Sequence, residues 1–97
     1  MTQEEVLKLL KRLSVIAGQI GFIIPEDDYK KSEQFFRFSG KKENLLIEVQ
    51  LTSPDMALIR LTEMDEAGRP RLGSNVLTTH FNVVETHMST MLNEYFR

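Results

Sequence analysis

A chain of 97 residues, 41% hydrophobic and 27% charged, has the composition of one small globular domain, expected to span 1–97 as a single unit. Its net charge of −2 gives no cation excess for generic phosphate binding, and the lack of cysteine excludes a disulfide framework and thiolate-held zinc. No apolar run approaches the ~20 residues of a membrane span, and Glu4 and Glu5 stand where a signal peptide carries basic residues. The expected setting is therefore cytoplasmic, with no membrane.

The first element is a helix. Thr2 and Glu5 have capping-box spacing, and Val6, Leu9, Leu10, Leu13, Ile16, Ala17 and Ile20 form one apolar stripe of helical period. Glu4 and Lys8 make the favourable carboxylate-first pair one turn apart, and Gly21 is placed to stop the helix in a left-handed conformation. Phe22, Ile23 and Ile24 run into Pro25. The charged stretch from Glu26 to Lys31 is expected to be a solvated surface connection.

Four β-type segments follow: Phe35 to Ser39, Leu45 to Thr52, Met56 to Met64 and Arg71 to Thr78. The expected turns are Gly40-Lys41-Lys42-Glu43, Ser53-Pro54-Asp55 and Asp65-Glu66-Ala67-Gly68, which together make an antiparallel meander. If Leu45, Ile47, Val49 and Leu51 face the core, these turn lengths bring Phe36 and Phe38, then Ala57, Ile59 and Leu61, and finally Leu72 and Val76 to the same face, whereas a five-residue first turn would put Phe35 inward instead. Gly73-Ser74-Asn75 predicts a bulge or break in the last strand. That break would blunt one sheet edge and leave the Phe35–Ser39 strand as the more available one.

The chain closes on a second helix, with Phe81, Val84, Met88, Met91, Leu92 and Tyr95 on one stripe and Thr78, Thr79 or Asn82 as its cap. Two helical stripes and one consistent sheet face predict an α+β fold. It is a two-layer sandwich, α-β-β-β-β-α, with a four-stranded antiparallel meander sheet and both helices on one face.

Chemistry-bearing residues are sparse. His80 and His87, placed on the second helix, would share a face but differ by ~10 Å in rise, too far to chelate one metal ion. Ser74, Thr78 and Thr79 are the hydroxyls nearest His80, and no G-x-S-x-G pattern is present. Glu48, Glu63, Asp65 and Glu66 could in principle assemble a carboxylate pair, but acidic residues at strand ends and turns are ordinary. The loop Gly68-Arg69-Pro70-Arg71 could reach a carboxylate or phosphate, or simply close a hairpin. No catalytic residue, cofactor or metal is expected, and the chain is read as no enzyme.

The less ordinary signal is the second face of the sheet. It would carry Phe35, Arg37, Leu46, Glu48, Met56, Leu58 and Arg60, together with Gln50, Thr62 and Met64. Aromatic, methionine and arginine residues among aliphatic ones fit a recognition surface better than a solvated one. The expected function is a non-enzymatic protein-binding module, such as an adaptor, a small inhibitor or a chaperone-like subunit, whose partner is another protein or its own copy. A homodimer is expected, because a short chain gains proportionally more from burying another face. The routes open to it are the outer sheet face, the first strand's edge and, more weakly, Val15 and Gly18 on the first helix. The alternative is a nucleic-acid-associated regulator using Lys8, Lys11, Arg12, Lys41 and Lys42, although Glu4, Glu5, Glu43 and Glu48 dilute that charge.

Overall fold

Two helices bracket an antiparallel sheet in the computed structural model, which describes residues 2–26, 29–31, 35–52, 54–71 and 74–96. Helix α1 (Gln3–Ile20) precedes strands β1 (Lys30–Lys31), β2 (Phe35–Lys42), β3 (Leu45–Thr52), β4 (Met56–Glu63) and β5 (Asn75–His80), and helix α2 (Val84–Tyr95) closes the chain. Spatial order follows chain order, β1-β2-β3-β4-β5. The architecture is the expected α-β-β-β-β-α sandwich built on four antiparallel strands. The two-residue β1, drawn from the stretch expected to be a plain connection, is added beside β2.

Helix α1 begins as its sequence dictates. The Glu5 N–H donates to Thr2 Oγ1 at 3.2 Å and the Thr2 N–H donates to Glu5 Oε1 at 3.4 Å, so the capping box is complete. It ends at Gly21, whose φ of 117° no side chain adopts comfortably. Its buried stripe of Val6, Leu9, Leu10, Leu13 and Ala17 meets Phe36, Phe38, Ile47, Val49, Leu51, Ala57, Ile59 and Leu61 from one sheet face. Val84, Met88 and Leu92 of α2 complete the same core. A Leu→Ala change in such a core typically costs about 2–5 kcal/mol.

The turns differ from expectation in informative ways. Strand β2 continues through Gly40 to Lys42, and Lys42 pairs with Leu45 across a turn of Glu43 and Asn44 alone, with Glu43 at φ 53°. The expected four-residue turn is thus two residues shorter, an even change, so Phe36 and Phe38 remain inward. Gly40 belongs to a strand because the chain after α1 crosses it. A Cβ there would lie 2.6 Å from Ile24 Cγ1 and 3.0 Å from the Ile23 carbonyl oxygen. In return, Ile23 and Lys41 exchange backbone hydrogen bonds of 2.8 and 3.0 Å.

The third turn is one residue longer than expected, and that odd change inverts β5. Met64 pairs with Pro70, so Arg69 joins the turn, whose backbone is held by Asp65 Oδ1 accepting from the Ala67 N–H at 2.9 Å and the Arg69 N–H at 2.8 Å. Leu61 next pairs with Asn75, a register shift of two residues from the Met64–Pro70 pair, and an even shift leaves the face unchanged. Leu77 and Thr79 therefore face the core, and Val76, expected inside, lies on the outer face at 53% exposure. Leu72 and Gly73 lie outside the described residues, as does the inward position expected for Leu72.

The entry to α2 also departs from expectation. Thr78 and Thr79 belong to β5, and Val83 starts the helix with no side-chain cap, so neither Asn82 nor either threonine caps it. Its entry is instead shaped by the Val83 N–H donating to the His80 carbonyl at 3.2 Å and by Phe81 buried in the core.

Candidate interaction surface

Register places the outer-face residues in rows across the sheet. Phe35, Thr52, Met56 and His80 form one row; Arg37, Gln50, Leu58 and Thr78 the next; Ser39, Glu48, Arg60 and Val76 a third; and Lys41, Leu46 and Thr62 a fourth. All seven residues expected to bind protein thus share one contiguous face of β2, β3 and β4. The core and both helices occupy the opposite face.

Phe35, Leu46, Glu48, Met56 and Leu58 are half-buried, whereas Arg37 and Arg60 are exposed. Glu48 and Arg60 are cross-strand partners in the register, opposite charges at the centre of the patch. Around them Arg37, Ser39, Gln50 and Leu58 line a shallow depression of about 230 Å³. Thr62 is the outer-face residue that is fully buried, its hydroxyl 3.1 Å from that of Ser74. Ser74 therefore shields the Thr62 end of the fourth row, while Leu46 stays half-buried and Lys41 exposed.

The basic residues are not brought together. Lys8, Lys11 and Arg12 lie on the exposed side of α1, and Lys41 is on the outer sheet face. Lys42, on the helix side, donates from Nζ to the Ile20 carbonyl at 2.7 Å and sits 4.6 Å from the centre of the Phe96 ring. Lys8 pairs with Glu4 at 3.8 Å, and Arg12 Nε donates to Glu85 Oε1 at 2.8 Å, tying α1 to α2. Three of the five cations are thus engaged within the fold, and the set is split between the two layers.

The histidines are also separated. His80 ends β5 rather than sitting on a helix, and its Nδ1 is 3.5 Å from Asp55 Oδ2 at an exposed corner. His87 is on α2, with Nδ1 hydrogen-bonded to the buried Thr79 hydroxyl at 2.6 Å. The carboxylates considered for acid–base work do not converge. Asp65 accepts from its own turn, Glu63 takes Arg71 at 3.6 Å and Asn44 at 3.4 Å, and Glu48 lies in the middle of the sheet. Among the described residues no group of three or more His, Asp or Glu is placed to hold a metal ion, and no helix is long and apolar enough to cross a membrane.

One feature escaped sequence reasoning. A groove of about 560 Å³ runs between β5 and α2, floored by Leu77 and Met91 and flanked by His87, Glu94 and Tyr95. It exists because Leu77, not Val76, points between the layers. The adjacent pair Val76-Leu77 gives no parity of its own, so only the length of the preceding turn could have shown it. The exposed edges differ from expectation as well. The outer side of β2 is occupied in part, by β1 against Phe36 and Arg37 and by Ile23 beside Lys41, so it is less open than expected. Among the described residues, the strands with no neighbour on their outer side are the two-residue β1 and, at the other end of the sheet, β5. Comparison with protein-family models, curated proteins and solved structures finds no match for this chain.

Proposed function

We propose that this chain is a non-enzymatic protein-binding module, an adaptor, small inhibitor or chaperone-like subunit acting in the cytoplasm, that takes its partner on the outer face of β2, β3 and β4. The observation that supports this reading is the contiguity of Phe35, Arg37, Leu46, Glu48, Met56, Leu58 and Arg60 on a sheet face that neither helix covers. Burial of Leu58, Met56 and Phe35 supplies the association free energy, at about 25 cal/mol per Å² of apolar surface removed from water. Arg37 and Arg60, exposed on either side of Leu58, set orientation through charged hydrogen bonds to the partner. The nucleic-acid alternative is weaker, because its cations are divided between the two layers and partly engaged in the fold.

The test is affinity capture from extract of the source cell with the wild-type chain, Leu58→Asp and the double variant Lys8→Glu/Lys11→Glu. The expected result is a protein retained by the wild type and by the lysine variant, lost with Leu58→Asp, and held through a rise in salt. Retention by Leu58→Asp, or a nuclease- and salt-sensitive capture lost with the lysine variant, would overturn the reading.

A further inference from the structure

We infer that the open edge of β5 and the adjoining face of α2 form a two-fold interface with a second copy of this chain, which joins the two sheets into one. The first observation is geometric. The Thr79–His87 hydrogen bond of 2.6 Å fixes the relative height of β5 and α2. Going back two strand residues from Thr79 (about 6.6 Å) and forward four helix residues from His87 (about 6 Å) arrives at Leu77 and Met91 side by side. Both line the groove beneath the strand edge. A strand added to β5 places its inward side chains over that groove, and the backbone groups along the outer side of β5 are those such a strand would pair with.

The second observation selects the occupant. Along α2, His87 and Glu94 are equally distant from the midpoint between Thr90 and Met91, and all four line the same groove. A two-fold axis passing Leu77 in the sheet and that midpoint in the helix layer sets His87 of each copy against the partner's Glu94. Leu77 and Met91 then meet at the centre. His87 Nδ1 is already taken by Thr79, so Nε2 is the ring atom left to face the opposing carboxylate. The same operation sets Val76, 53% exposed on the outer face, beside the second copy's Thr78. An apolar centre flanked by one cation-capable and one acidic residue is self-complementary under two-fold symmetry. A foreign strand would have no need of that symmetry.

Light scattering with size exclusion, from low to high micromolar concentration, tests this on the wild type and Glu94→Lys. The expected result is a wild-type mass approaching twice the 11.2 kDa of one chain, with Glu94→Lys weakening the dimer by about tenfold or more. Because the chain has no cysteine, Thr90→Cys provides an independent readout. Mild oxidation should link it into dimers, while Val15→Cys, on the exposed side of α1, stays largely unlinked. A mass that stays at one chain, equal linking of the two cysteine variants, or a dimer lost with Leu58→Asp and indifferent to Glu94→Lys would each overturn the proposal.

Discussion

Lys42 shows why a charge read from sequence does not declare its use. By composition it belongs with Lys41 as a solvent-facing turn cation, yet strand alternation turns the two to opposite layers. Its ammonium satisfies the Ile20 carbonyl at the C-terminus of α1, where a cation also complements the helix dipole, and it lies under the Phe96 ring. Lys42→Glu reverses that charge next to the helix end, and the expected loss is about 1–2 kcal/mol of stability in urea denaturation. Lys11→Glu, on the exposed side of α1, should leave the midpoint essentially unchanged. Equal effects of the two substitutions would mean that Lys42 is as dispensable to the fold as an ordinary surface lysine.

At the scale of elements, the alternation of β3 and β4 was legible because each strand is apolar at every second position, and both are flanked by partners that agree. Leu45, Ile47, Val49 and Leu51 are all buried, as are Ala57, Ile59 and Leu61. Helix α1 was legible to its caps, since Thr2, Glu5 and Gly21 are local signals whose meaning needs no tertiary context. Strand β5 was not, because its face depends on whether Arg69 belongs to the turn. The hydrogen bond from the Arg69 N–H to Asp65 Oδ1 decides that, and residue type does not announce it. Strand β1 was missed for a related reason: two lysines acquire strand geometry only because the edge of β2 is there to pair with. The inverted face has a direct consequence. Val76→Asp should be tolerated within about 0.5 kcal/mol, whereas Leu77→Asp, partly buried against the core, should cost about 1–3 kcal/mol in thermal or urea unfolding. The opposite ranking would restore the four-residue turn and the original register.

Over the whole molecule, one face of the sheet carries the core and both helices, and neither helix covers the other face. The helices, the buried cluster and the paired edge of β2 all serve the first. The candidate site on the second face was legible as a set, because a single alternation places all seven of its residues together. Its limit at Thr62 was not, because that depends on Ser74 arriving from the chain before β5. The groove beside β5 was hidden by the register error. Adjacent residues on β4 separate the two faces most sharply. Leu58 belongs to the half-buried outer patch and Ile59 is fully enclosed in the core. The most direct measurement is thermal unfolding of Leu58→Asp beside Ile59→Asp, followed by circular dichroism. The expected result is a cooperative transition for Leu58→Asp, lowered by about 1 kcal/mol or less, and loss of the folded state for Ile59→Asp. A Leu58→Asp chain that fails to fold while Ile59→Asp retains its transition would contradict it and put the helices on the other face.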